Sequence, residues 1–384
     1  MLMNFNHKDY NMEFLASSTA VSKALSRVIG AVNKTGVSEY LTALKVSVTD
    51  QFIVEATNMD LVISSWFSLE NTKEHGSFCV DAHSLYEIVK KLPKDVDVRF
   101  YDTSNDNLNY LVIEHNKSKF ELATLDVQHY PSLLTTIKDQ TISFNKKDLL
   151  FLVDKTRSCI YANEARYNIN GLLLHLHTEE KKVFGISTDG HRLAYSYFDS
   201  EDISQNAKIT IPRKVVVELR KVAESEGDNI SLDISETKAT FHFENSRLTT
   251  KLIDAEFPDY QRVIPKDYVD YLTVNTKKFL TAIDRVSSIY LHLTNEIGVR
   301  LIISASAIKI SSIKDINRSF DELPATFTKD DELQIMCNFV YLKDIIALID
   351  SDEVKIFVKD SNYPIMVQDS SQNTFFYIIM PMKI

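Results

Sequence analysis

Three stretches of this 384-residue chain open alike: MEFLASSTAVSKALSRV from residue 12, ISFNKKDLLFLVDKTRS from 142 and LTVNTKKFLTAIDRVSS from 272. Each reads as a short alternating strand followed by a helix with apolar residues at three- and four-residue spacing. A second set repeats that pattern: FCVDAHSLYEIVKKL from 78, ITIPRKVVVELRKVA from 209 and IMCNFVYLKDIIALI from 335. A third set is strand alone (VDVRFYD, ISLDISE, VKIFVKD), and the first two units close on similar corners, YPSL at 130 and FPDY at 257. Similar patterns can recur by chance, but three kinds of marker hold a period near 128 through the whole chain. A fixed period constrains the fold strongly, because every unit must solve the same packing problem. Two helices and several short strands per unit, without a βαβ rhythm, predict an α+β fold with helices packed on antiparallel sheets. The expected organisation is an N-terminal extension over 1–11 and domains over 12–138, 139–267 and 268–384.

Composition removes several functions. Glycine occurs 8 times, about 2% against a usual value near 7%. No GxGxxG or GxxxxGK[ST] occurs, so the common phosphate-cradling loops are missing and no cofactor is expected. Cys79, Cys159 and Cys337 lie far apart, without metal-ligand or disulfide-framework spacing. No apolar run approaches a membrane span, and MLMNFNHKDYNMEF lacks the pattern of a signal peptide. The expected compartment is the cytoplasm.

The net charge of -10 would argue against nucleic acid, but the charge is segregated. The helical segments 21–34, 84–94, 146–157, 213–221, 277–285 and 338–349 hold eighteen Lys and Arg against six acids. They carry a surplus of +12, which leaves -22 for the remainder. A basic face can coexist with an acidic total. Candidate DNA-facing residues are Lys23, Arg27, Lys34, Lys90, Lys91, Lys146, Lys147, Arg157, Arg213, Lys214, Arg220, Lys221, Lys277 and Arg285. With no zinc finger, RNP motif or helix-turn-helix pattern, such helices would meet phosphates rather than base edges. Ordinary solvated helices are also rich in Lys, so a scaffold without nucleic acid stays open.

TDGHRL at 188 lies 131 residues after TNMDL at 57, so both fall in the same strand-end loop of equivalent units. The first unit lacks Gly-His-Arg, and the third has SIKDINRSF in that region. An embellishment on one copy of a shared scaffold marks a site peculiar to that copy. His191 and Asp189 could act as base and orienting acid. Side chains two apart at a strand end rarely meet in that geometry, and no nucleophile or metal set accompanies them. A binding wall is the better reading of the residues.

These units, together with RYNINGLLL (166–174), TDGHRLA (188–194), IPRK (211–214), FPDYQRVIP (257–265) and YIIMPMKI (377–384), resemble the bacterial DNA sliding clamps. Those are the beta subunits of the replicative DNA polymerase III holoenzyme. The resemblance covers residues 12 to 384 in order. It implies a non-catalytic, head-to-tail homodimeric ring around double-stranded DNA, bound without regard to sequence, with helices lining the hole. It also implies a hydrophobic groove that tethers polymerase subunits, clamp loader and repair proteins by short linear motifs. By motif match, the groove would take Ile169, Thr188, Gly190, His191, Arg192 and Leu193 from one wall, and Pro258 and Val263 from the corner. Ile378, Met380, Pro381, Met382, Lys383 and Ile384 would come from the terminus, with Asn338 and Tyr341 at the edge. Methionines suit varied apolar ligands. Tyr377 to Ile379 read as a buried edge strand, and Pro381 should end its ladder. Arg166 and Tyr167 join the DNA-facing set, and Lys117, Phe120, Ile289 and Tyr290 form the dimer interface. This chain departs from the family pattern at Glu39-Tyr40-Leu41, at Ile169, at Lys383-Ile384 and in residues 1–11.

Overall fold

A computed structural model describes residues 12–33, 35, 38–70, 72–105, 108–131, 138–163, 165–290, 298–314 and 316–383. Among them, six α-helices fall where the repeat predicts: α1 Ser18–Val28, α2 Ala82–Lys91, α3 Lys146–Thr156, α4 Arg213–Glu224, α5 Thr276–Ser287 and α6 Phe339–Ile346. The leading helices α1, α3 and α5 start 128 and 130 residues apart. The first helix therefore begins two residues later in its motif than the others, because Ser17 stays extended (φ -62°, ψ 130°) as the N-cap. Several helices begin where a strand ends on a capping side chain. Asp81 accepts from the N–H of Ser84, Asn275 from that of Lys278, and Asn338 from those of Val340 and Tyr341. Each cap satisfies donors that the first helical turn leaves unpaired.

Two compact units emerge, Met1–Lys147 with Val217–Leu252, and Asp148–Val216 with Ile253–Ile384. The first holds a sheet of thirteen described strands and the second a sheet of twelve. Every paired strand is antiparallel. In the first unit, Leu61–Ser68 of one repeat pairs with Ser246–Lys251 of the next, with Ser65 opposite Ser246. In the second, Arg192–Asp199 pairs with Phe375–Ile379, with Ser196 opposite Phe375. Sheets therefore run through the joins between repeats.

The helices bury one face against these sheets. Val21, Ala24, Leu25 and Val28 of α1 are buried, as are Phe279, Ala282, Ile283 and Val286 of α5. Three- and four-residue spacing places each set on one helical stripe. Residues Phe375–Ile379 form an inner strand, flanked by Arg192–Asp199 and Ile365–Asp369, rather than the expected edge. Tyr377, Ile378 and Ile379 are accordingly buried. No helix among the described residues is long and apolar enough to cross a membrane.

Candidate functional site

The turn over 188–192 is built by its own polar groups. The Thr188 hydroxyl donates to the carbonyl of Arg192 (2.7 Å) and accepts from the N–H of Gly190 (3.0 Å). Asp189 Oδ1 accepts from the N–H groups of His191 (2.9 Å) and Arg192 (3.0 Å). Its other oxygen accepts from Arg192 Nε at 3.0 Å. Gly190 supplies φ +89°, a conformation that side-chain-bearing residues rarely adopt. Asp189 therefore orients the turn and Arg192, and its carboxylate is not the partner of the exposed His191 ring.

Arg192 is a strut. Its Nη1 donates to Asp344 Oδ2 (2.8 Å), its Nη2 to the carbonyl of Ser158 (2.8 Å), and its guanidinium lies 4.4 Å from the Tyr341 ring centroid. These contacts fix the strand Arg192–Asp199 against α6. The N–H of Met380 donates to the carbonyl of His191 at 2.9 Å, which brings the terminal segment onto the turn. Past Pro381 the regular pairing stops, and a single bridge joins Met382 to Met336.

Between these elements lies a cavity of about 300 Å³. Its lining includes Ile169, Thr188, Gly190, His191, Arg192, Leu193, Pro258, Val263, Ile378 and Met380, all expected from the sequence. Arg166, Asn168, Phe257, Asp259 and Tyr260 complete it. Ile169, Leu193, Phe257, Tyr260 and Ile378 belong to one buried apolar cluster, so the floor is continuous with the core. Met380 and Val263 are 43% and 49% exposed at the rim. Below the floor, His175 Nδ1 is hydrogen-bonded to the Tyr260 hydroxyl at 2.8 Å. Burial, aided by Lys208 and His177, lowers the His175 pKa to about 4, so the ring is neutral near pH 7. The corner motif contained this signal, since Phe257 and Tyr260 flank the proline singled out there. His175 gave none, because only the fold brings it beneath residue 260.

Other expected groove residues lie elsewhere. Asn338 is buried and caps α6 through Oδ1, while Tyr341 packs beneath Arg192. Pro381, Met382 and Lys383 follow the lining segment without joining the cavity's described wall. Ile384 lies outside the described residues.

The basic set divides. Lys23, Lys90, Lys91, Lys147, Arg157, Arg213, Lys214, Lys221 and Lys277 are exposed, and Tyr167 is 55% exposed. Several have acidic neighbours: Glu87 for Lys90 and Lys91, Asp154 for Arg157, Glu224 for Arg220, Glu218 for Lys221 and Asp321 for Arg285. Lys146 donates to the carbonyl of Glu226 and pairs with Asp228. One assignment requires correction. Arg27 is buried and paired with Glu226 at 2.9 Å, so it cannot face DNA. Arg166 lines the groove, its Nη1 only 2.7 Å from where a Cβ on Gly190 would stand. Lys34 lies outside the described residues.

Of the interface set, Lys117 and Phe120 are exposed and Ile289 is half-buried. Tyr290 is a correction. It is buried, its hydroxyl donating to the carbonyl of Gly298 (2.8 Å) and accepting from Ser312 (2.5 Å), its ring stacked on Phe339. A group so fully satisfied inside the domain has nothing to offer a partner. The thiols are equally internal, and burial raises Cys159 and Cys337 to about 12.

Repeated α+β domains carrying one apolar groove, walled by a turn and a terminal strand, define a docking scaffold. Similarity to known proteins makes the class specific. The N-terminal, central and C-terminal domains of the DNA polymerase III beta subunit match residues 12–134, 143–259 and 261–383. The beta sliding clamp of Caulobacter vibrioides is 30% identical over 386 residues, covering 97% of this chain and all of that one. The Haemophilus influenzae beta sliding clamp is 26% identical at the same coverage. Among solved structures, a Pseudomonas aeruginosa sliding clamp bound to griselimycin superposes with TM-score 0.92 at 25% identity. The Caulobacter crescentus clamp does so with 0.89 at 30%. Both cover 97% of this chain and all of theirs. The chain belongs to the DNA polymerase III beta subunit family, the bacterial beta sliding clamps.

Proposed function

We propose that this chain is a non-catalytic processivity factor of bacterial DNA replication. Two copies close head to tail around duplex DNA in the cytoplasm, each copy contributing domains 12–138, 139–267 and 268–384. Polymerase subunits, clamp loader and repair proteins dock by short linear motifs in the groove of Leu193, Ile378, Met380 and Tyr260. The observation that carries this reading is the join of the TDGHRL turn to the chain terminus over an apolar floor, within a chain matched along its length by this family. An apolar cavity with few polar groups at its rim suits a peptide's Leu and Phe side chains.

Retention on DNA tests the ring. The protein should stay on nicked circular duplex after loading and run off the linearised form. Reversing Arg213, Lys214, Arg220 and Lys221 together should lower retention on every sequence alike, with the largest difference from the parent at low salt, where the phosphate contacts are least screened. Equal retention on linear and circular DNA would overturn the encirclement.

A further inference from the structure

Three of the chain's eight methionines, Met336, Met380 and Met382, gather where the terminal segment crosses onto the third repeat. The backbone holds that segment lightly. Met380 donates its N–H to the carbonyl of His191 (2.9 Å), and Met382 donates to that of Met336 (2.8 Å). Pro381 between them has no N–H to give, and past it a single bridge replaces the ladder. Side chains supply the rest of the hold. Gly298 opens the strand Gly298–Ser304 opposite Asn338, two positions from Arg300, which faces Met336. A Cβ on Gly298 would stand 3.3 Å from Met336 Sδ and 3.6 Å from Met382 Sδ. Two thioethers therefore converge over one bare backbone position, while Met380, on the other side of Pro381, lines the groove.

Thioether chemistry decides what such a cluster can do. Methionine packs as a flexible apolar side chain, and a peroxide converts it reversibly into a polar sulfoxide. Access favours reaction here, since Met380 and Met382 are 43% and 37% exposed and Met336 is half-buried. The three thiols are buried and shielded from the same oxidant. A sulfoxide oxygen is a strong acceptor that water solvates well, so an oxidised Met382 gains by turning out of its seat beside Met336 and Gly298. On Met380 the same oxygen stands at the rim of an apolar floor formed by Leu193 and Ile378. Apolar side chains entering there would have to strip its water.

We propose that Met380 and Met382 form a reversible oxidation site that opens the groove and releases docked peptides. It rests on the peptide-groove reading above and adds regulation of that groove by a peroxide. In the oxidation step, the thioether sulfur gives an electron pair to one peroxide oxygen. An S–O bond forms as the O–O bond breaks, and the departing hydroxide takes the proton of the transferred oxygen and leaves as water. Reduction returns that oxygen as water, with two thiols of the reductant oxidised to a disulfide. Met59 is the internal contrast. It is 45% exposed and equally open to oxidant, but it belongs to the first repeat's turn and does not line the cavity.

Mild hydrogen peroxide treatment of the full chain, followed by peptide mapping for added oxygen, tests the site. Met380, Met382 and Met59 should gain oxygen well before Met12, which is 2% exposed. A peptide with Gln followed by spaced Leu and Phe, read by fluorescence anisotropy, should then lose about tenfold in affinity. Methionine sulfoxide reductases with a dithiol should restore it. Met380→Leu with Met382→Leu, compared with its own untreated form, should lose less than about twofold, while Met59→Leu should lose as much as the parent. Hydrogen exchange reads the seat without peptide: the Met382 amide should exchange about tenfold faster after oxidation, at an unchanged melting temperature. Sulfoxides at 380 and 382 with unchanged affinity, or a loss that the reductases do not reverse, overturns the oxidation site and leaves the groove intact. A parent chain that binds no peptide overturns the groove reading. The Met382 amide then decides the oxidation site by itself, and exchange unchanged by full oxidation overturns it.

Discussion

The loops at 57–61 and 188–192 are the same turn with different uses. In the first, Thr57 donates to the carbonyl of Leu61 and accepts from the N–H of Met59, while Asn58 Oδ1 accepts from the N–H groups of Asp60 and Leu61. In the second, Thr188 and Asp189 make the matching bonds around Gly190 and Arg192. The residue between the two strands has positive φ in both, +78° at Met59 and +89° at Gly190. The resemblance to a catalytic constellation is thus a property of the turn, which occurs without His or Arg in the first copy. What distinguishes the second copy is its surroundings. Gly190 admits Arg166 where a Cβ would collide, and the following strand lies beside the terminal strand. Position in the chain turned one turn into a wall.

Removing the neighbour should separate the two turns most. Deletion of Met380 to Ile384 leaves the first turn and every helix in place but takes away one side of the groove. Peptides with Gln followed by spaced Leu and Phe should lose roughly thirtyfold in affinity, because the apolar anchor Met380 contributes about 2 kcal/mol. Fluorescence anisotropy on the parent and truncated chains measures this, and unchanged affinity would remove the groove from the second turn's role.

The next effect is pH-dependent and confined to the second copy. The folded His175 pKa of about 4 lies below its ordinary value of 6.5, so the unfolded chain binds the proton first. Its contribution is therefore complete above pH 6.5 and lost as pH falls toward 4. That loss is roughly 2–3 kcal/mol. Melting temperature should drop through this window, and His175→Gln should flatten that part of the profile. Since Tyr260 sits in the groove floor, the same variant should also weaken peptide binding at pH 7. A parallel pH profile in parent and variant would show that His175 does not carry it.

Paired substitutions sharpen the comparison. Asn58→Ala and Asp189→Ala each remove an acceptor for two backbone donors, at a cost of about 1–2 kcal/mol in stability. Only Asp189→Ala should also lower peptide affinity, because only it releases Arg192. Equal affinities would mean that the turn's geometry does not set the groove. The smallest effect is at Met59. Met59→Gly should stabilise the protein by up to about 1 kcal/mol, measured by urea denaturation, by relieving a left-handed backbone conformation.

The sequence determined the repeated order of elements, because strand and helix periodicities are local and the three copies reinforce one another. It also placed most of the groove's walls, since the turn, the corner and the terminus carry distinctive short motifs. Tertiary structure decided which charges and polar groups were consumed internally. Arg27, Tyr290 and Asn338 look like surface or interface residues in a linear reading, yet each is buried against partners 198, 8 or 2 positions away. His175 is an inconspicuous strand residue until the fold sets Tyr260, 85 positions on, within hydrogen-bonding distance. Local periodicity determines whether a side chain faces a core, whereas its hydrogen-bond partner depends on segments that meet only when the sheet is complete.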